Sequence, residues 1–260
     1  MLLSAIMLIS SVAVIVSCSK TKDATPEAIS GDVLSKISAL GFSSSNVIKV
    51  DDGYLVEGDI ILTENDLKGH QNPMLLAIAN EEHYRTTNLV GGLPRTITIR
   101  VSTSLPSRYF SCMDAAITRY NNQNLRIRFA RVTSGGNIVI NPAPSGAPYL
   151  ASAGFPSGGN PYYQVLVNRS YLDTWNTSTV TSILAHEVGH CIGFRHTDYM
   201  SRQYSCGGTP TNEGASTVGA IHIPGTPTGP SAGSWMLACI GNGVNRPFTS
   251  SDVTALQYVY

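Results

Sequence analysis

The sequence predicts an α+β fold, and three observations carry that expectation. Short segments alternate with period 2: Thr96–Val101 puts Ile97, Ile99 and Val101 on one face, and Leu125–Val132 does so with Leu125, Ile127 and Phe129. Between them, Met113, Ala116, Ile117 and Tyr120 recur at helical spacing. Farther on, helical segments are capped at Asn176 or Thr177 and at Ser250-Ser251-Asp252.

Each element has a local reason. Val90-Gly91-Gly92-Leu93-Pro94 is a turn-rich boundary, and the legible order starts at Arg95. Pro106-Ser107 opens the first helix. In the second strand Arg126 and Arg128 point outward, and a third strand, Asn137–Asn141, is bounded by Gly-Gly and Pro142. Gln164–Asn168 is a fourth strand. Asn176 or Thr177 caps a helix that runs through His186 and His190. Ser250-Ser251-Asp252 caps a C-terminal helix bearing Val253, Leu256, Val259 and Tyr260. Upstream, Tyr54–Leu62 is strand-like at both ends, and Asn65–Asn80 reads as helical.

A chain of 260 residues with 42% hydrophobic content can bury a core in one domain or two. Seventeen basic residues balance seventeen acidic ones, and charged residues make up only 13%, which argues against a nucleic-acid-binding surface. Leu2–Val16 is nearly continuous apolar sequence, too short to span a bilayer, and Ile15-Val16-Ser17-Cys18 follows it. Small residues before a cysteine resemble a bacterial lipobox, in which cleavage leaves a lipidated Cys18; an ordinary secretory signal is the alternative. Either way the protein is expected to be exported, anchored to an envelope membrane or secreted. Export permits disulfides. Cys112, Cys191, Cys206 and Cys239 leave three pairings open; Cys206 with Cys239, and Cys112 with Cys191, are the combination considered.

The chemistry concentrates in residues 186–196, His-Glu-Val-Gly-His-Cys-Ile-Gly-Phe-Arg-His. His186 and His190 stand one turn apart on one helical face, the spacing at which two imidazoles share a tetrahedral Zn²⁺. Glu187 lies beside them as a general base for a metal-activated water. Gly193 can take positive φ, end the helix and let His196 return as the third ligand. The competing reading is an amphipathic helix with solvated or core histidines, which the full string makes remote. His70, His83 and His222 have no partner at metal spacing and are expected to be surface or structural.

The string resembles the long HExxHxxGxxH signature of the metzincin zinc peptidases. It is most similar to the bacterial family named for its HEIGH sequence, with Val188 at the third place. The resemblance covers about Arg95 to Tyr260. It implies a twisted mixed sheet with two helices, an irregular C-terminal subdomain ending in a helix, and one catalytic Zn²⁺. It also implies a Met-turn methionine beneath the metal, matched by Met236 in Ser234-Trp235-Met236, with Met200 too close to His196 to serve. The tyrosine that assists the transition state in astacins falls on Ala238 here, leaving Tyr199 as a weak substitute. An edge strand above the cleft would pair with an extended substrate, and Ala151–Tyr163 is its expected source.

Upstream, Val56-Glu57-Gly58-Asp59-Ile60 resembles the Phe-x-Gly-Asp element of astacin pro-segments, whose aspartate occupies the fourth zinc position. A bulge or turn in a strand is the equal alternative. The resulting division is 1–18 lipoprotein signal, 19–92 tether and pro-segment, and 93–260 catalytic domain, with an activating cut between about Tyr84 and Pro94. The expected function is zinc-dependent endopeptidase. Substrates would be proteins or peptides, the lipid anchor at Cys18 would hold a membrane, and a monomer is expected. Two alternatives stand beside it: a lipoprotein binding module with a structural zinc, and a zinc hydrolase of non-peptide amides or esters.

Overall fold

The structure, a computed structural model, describes residues 28–40, 42–68, 83–209, 212, 220–227 and 229–260. The signal and tether, Cys18, His70 and most of the expected helix Asn65–Asn80 lie outside the described residues.

Toward the N-terminus, α1 (Gly31–Ala39) and α2 (Glu64–Lys68) accompany an antiparallel sheet of β1 (Ile48–Val50), β2 (Gly53–Val56) and β3 (Ile60–Leu62). Its apolar cluster includes Ile37, Leu40, Phe42, Val56, Ile60 and Leu62. Burying such side chains contributes roughly 1.5–3 kcal/mol each relative to exposure. The 54–62 segment is therefore a hairpin. Glu57-Gly58-Asp59 forms its tip, with left-handed φ of 54° at Glu57 and 88° at Gly58.

The short strand β4 (Tyr84–Arg85) follows. Next come β5 (Arg95–Val101), α3 (Arg108–Asn121), β6 (Ile127–Val132), β7 (Ile138–Pro142), β8 (Ala151–Ser152) and β9 (Gln164–Val167). These five strands from β5 onward make a mixed sheet in the order β6-β5-β7-β9-β8, parallel except for the antiparallel edge strand β8. The α+β expectation and its mixed sheet stand. α4 (Arg169–Leu172) leads to α5 (Thr177–Cys191), capped by the Asn176 side chain, which accepts from the Ser178 amide. The inward residues Ile97, Ile99, Ile138, Ile140 and Val165 are fully buried in one core with Met113 of α3 and Leu184 of α5. Among the described residues beyond α5, only α6 (Gln203–Cys206) and β10 (Ile221–His222) are regular before α7 (Ser250–Val259). Thr249, one residue earlier than expected, caps α7 through a capping box with Asp252.

The segment ahead of β5 is interleaved with the part of the chain that follows it. β4 pairs with β10, Tyr84 is fully buried, and the Thr86 amide donates to the Gly193 carbonyl at 2.8 Å. The cysteine expectation needs one correction. Cys206 and Cys239 are bonded, but Cys112 and Cys191 are free and buried. Cys112 Sγ faces the Thr177 carbonyl at the start of α5, whereas Cys191 closes that helix. A helix of this length holds its ends about 21 Å apart, far beyond disulfide reach.

Candidate metal centre

α5 can sit at the centre of the fold because nearly every residue from Thr179 to Cys191 is buried. Its two histidines share a face, and their ring orientations are fixed from behind. His186 Nδ1 lies 2.8 Å from the Trp235 carbonyl, and His190 Nδ1 lies 2.8 Å from the Phe194 carbonyl. A carbonyl can only accept, so each Nδ1 carries the proton and each Nε2 presents a lone pair. Gly193, at φ 107°, turns the chain, and an added Cβ there would lie 2.8 Å from Leu89. After that turn His196 comes back beside the helix.

The three rings converge. His190 Nε2 is 3.0 Å from His186 Nε2 and 3.2 Å from His196 Nε2. Two lone pairs at this range repel unless a cation lies between them. Four ligands at ~2.0–2.1 Å in a tetrahedron stand about 3.3–3.4 Å apart, close to this spacing. The hairpin tip supplies the fourth donor. Asp59 Oδ2 is 3.1 Å from His196 Nε2 and 3.7 Å from His186 Nε2. The ligand atoms of Asp59, His186, His190 and His196 all lie within 4.8 Å of one another and could hold a metal ion. The turn expected at 56–60 is present, and it sets the Asp59 carboxylate beside the three rings.

Two arginines hold the tip in place. Arg195, inside the histidine motif, places Nη2 3.0 Å from both carboxylate oxygens of Glu57, and both side chains are fully buried. Its guanidinium lies over the Phe42 ring, 4.7 Å from the centroid. Arg202 donates to the Glu57 carbonyl. Neither arginine figured in the sequence expectation; the only signal was a cation within the motif and an acid beside Asp59. The tip also pairs with the sheet: the Ala153 amide donates to the Asp59 carbonyl at 2.9 Å, and Ile61 donates to Ala153 at 2.7 Å. This ladder, parallel at Ile60–Ala153, extends the free edge of β8, within the Ala151–Tyr163 stretch expected to bind substrate.

Burial acts to raise the Asp59 carboxyl, but His196 first, with His186 and His190 beside it, outweighs burial and holds it well below the usual range. Glu187 is pushed well above the carboxylate range, first by burial and then by the Asp59 charge. Its Oε2 is buried without a hydrogen-bond partner among the described residues. Burial, then the neighbouring His186 and His196, holds His190 well below the ordinary imidazole value, so it stays neutral.

Met236 packs under the helix. A Cβ on Gly189 would lie 2.6 Å from Met236 Sδ, so only glycine lets the methionine approach between the two histidines. A buried polar chain stands behind it. Asp252 Oδ1 lies 2.6 Å from His83 Nε2 and accepts from Ser234 Oγ at 2.7 Å; Ser234 Oγ accepts from the Met236 amide at 3.2 Å. His83 is thus structural, as expected, although its neighbours were not foreseen. Met200 lies only partly buried beside Tyr84, Tyr199 and Ala220. Tyr199 packs edge-on against Tyr84, with centroids 4.4 Å apart. Among the described residues it is absent from the cleft lining, which includes His186, Glu187, Asp59 and Arg202 around about 270 Å³.

Residues 54–260 match the family described as dual-action HEIGH metallo-peptidase. Two solved structures of myroilysin align with the chain. One aligns at 15% identity and a TM-score of 0.36, over 45% of this chain and 56% of that one. The other aligns at 13% identity and a TM-score of 0.44, over 74% of this chain and 99% of that one. The alignment thus spans little more than half the length of the first. No curated protein matches the chain in sequence.

Proposed function

The chain belongs to the HEIGH metallo-peptidase family, and from that premise we propose that it is a zinc-dependent endopeptidase held latent by its own hairpin. The observation that carries this reading is the convergence of three imidazole Nε2 atoms on one point, with Asp59 Oδ2 as the fourth donor. Three neutral nitrogens and one carboxylate suit zinc. When bound, such an ion supplies Lewis-acid polarisation of a carbonyl and acidifies water.

The chain's own residues do the rest. His186, His190 and His196 hold the ion, and the carbonyls of Trp235 and Phe194 keep two of the rings in register. Glu187, raised by burial, is poised to take a proton at Oε2 from the attacking water and return it to the leaving amine. The free edge at Ala151–Ala153 offers an extended substrate its ladder once the hairpin leaves. The hairpin occupies that edge in the parallel sense, with the Asp59 carboxylate where a reacting group would stand.

Removal of the hairpin requires a cut. Because Tyr84 and Thr86 pack into the part that carries the histidines, a cut upstream of His83 is proposed beside the 84–94 window expected from sequence. Export, with lipid anchoring through Cys18, and action as a monomer remain parts of the same proposal. No described helix is long and apolar enough to cross a membrane. A structural zinc would not call for an unpartnered buried Glu187, which favours the enzyme over a binding module. The test is zinc content and hydrolysis of a denatured protein by wild-type, Glu187→Ala and His190→Ala chains. Glu187→Ala should keep the metal and lose hydrolysis, whereas His190→Ala should lose both. Near-normal hydrolysis by Glu187→Ala would remove the general-base assignment.

A further inference from the structure

The cleft beside the metal centre has mostly apolar walls. Ile183 of α5, Leu237 and Ile240 beyond Met236, and Leu150 ahead of β8 line it, with His186 and Glu187 at its metal end. Two arginines also line it, Arg202 and Arg246. They differ in what they touch. Arg202 donates to the Glu57 carbonyl of the hairpin. Arg246 is anchored by its backbone: its amide donates to Ser182 Oγ at 2.9 Å, and its carbonyl accepts from Arg119 at 3.0 Å. Among the described residues its guanidinium makes one long contact, Nη1 to the Leu237 carbonyl at 3.4 Å.

No carboxylate among the described residues lies within ion-pair distance of Arg246, in contrast to Arg131, Arg169 and Arg195. The acid that acts on it from a distance, Asp198, is already engaged by Ser205 Oγ at 2.5 Å and by the Ala238 amide at 3.0 Å. Half-burial disfavours the Arg246 charge and lowers its pKa. A guanidinium that is partly desolvated and lacks a counter-ion gains more from a carboxylate than a solvated one would. The hairpin does not provide that carboxylate: next to Asp59 it presents Gly58, whose added Cβ would come within 3.3 Å of Arg202 Nη2.

We propose that Arg246 sets the substrate class by pairing with an acidic side chain, Glu or Asp, flanking the scissile bond of the bound peptide. The apolar walls fit the methylenes of glutamate, and the guanidinium fits its carboxylate. The inference rests on the peptidase reading and names the substrate for that site.

The experiment compares two peptides of one sequence that differ only in Glu or Gln beside the scissile bond. The zinc-loaded full chain is assayed as wild type, Arg246→Leu, Arg246→Lys and Arg246→Glu. The ratio of kcat/KM for the two peptides is independent of how many molecules are open. Wild type should favour the Glu peptide by about tenfold or more, the scale of a charge-assisted contact in a partly desolvated site. Arg246→Lys should retain part of the preference, Arg246→Leu should abolish it, and Arg246→Glu should turn it toward the Gln peptide. Equal kcat/KM for Glu and Gln in wild type overturns the proposal whether or not the variants fold. An unchanged preference in Arg246→Leu overturns it as well. Hydrolysis of neither peptide, before or after limited proteolysis, removes the peptidase reading and the specificity with it.

Discussion

Glu57 and Arg195 form an ion pair in which neither side chain is exposed to solvent, one partner on the hairpin tip and the other inside the histidine motif. Such a pair is costly to break from one side, because the remaining charge stays buried. Here it fixes the residue two positions from Asp59, so it couples hairpin docking to occupation of the metal centre.

Glu57→Ala should therefore destabilise the full chain by about 3–5 kcal/mol, the range for removing one partner of a buried pair. It should also raise hydrolysis, because the hairpin detaches more easily. Thermal unfolding and a peptide assay on the same preparation check both effects. Lower stability with unchanged low activity would mean that the ion pair braces the fold without governing access.

The histidine helix was legible because its chemistry is local: i, i+4 spacing and a glycine at the turn are fixed by backbone geometry. The sheet was legible for the same reason, since period-2 alternation is a property of each strand alone. What pairs with what was not. Cys112 and Cys191 lie on packed helices, α3 and α5, and only the packing of Cys112 against the opposite end of α5 shows that they cannot meet. Arg195 reads as an unremarkable cation in the motif until the fold brings Glu57 to it across 138 residues of sequence. His83 likewise gave no local signal, because its partner Asp252 lies 169 residues away.

His83→Leu should reduce zinc retention as well as stability. It breaks the contact with Asp252, and Asp252 holds Ser234 next to the Trp235 carbonyl that orients His186. The cost should be about 3–5 kcal/mol if the pair is ionic and less if it is neutral. Zinc content after dialysis against a weak chelator, with His83→Gln as the conservative control, decides whether the effect reaches the metal. Full zinc retention in a destabilised His83→Leu protein would confine this network to folding.

Gly189→Ala tests the packing beneath the helix. The new Cβ would meet Met236 Sδ at 2.6 Å and Trp235 Nε1 at 3.0 Å, so the methionine must shift. Overpacking of this kind costs roughly 1–3 kcal/mol. The melting temperature should fall, and a Gly189→Ala, Met236→Ala double variant should recover part of the loss. Additive losses in the double variant would contradict the contact.

The thiols give an independent check on the core. Among Cys112, Cys191, Cys206 and Cys239, the folded protein should show no fast-reacting thiol, because the free pair is buried and the other two are bonded. Unfolding without reductant should expose Cys112 and Cys191 together. Replacing Cys206 and Cys239 by Ser should cost roughly 3–4 kcal/mol, from the loop of 33 residues that the bridge closes. A native thiol titration that labels Cys191 would contradict its place inside α5.

The most direct test of a zinc peptidase silenced by its own hairpin is the rate of peptide hydrolysis by the full chain with Asp59 intact and with Asp59→Ala, each assayed at measured zinc stoichiometry. The account predicts one zinc per chain in both proteins and faster hydrolysis by Asp59→Ala, which Glu187→Ala abolishes when added to it. Equal rates from two zinc-loaded proteins would contradict the aspartate's role, and no hydrolysis by zinc-loaded Asp59→Ala, even after limited proteolysis, would contradict the peptidase itself.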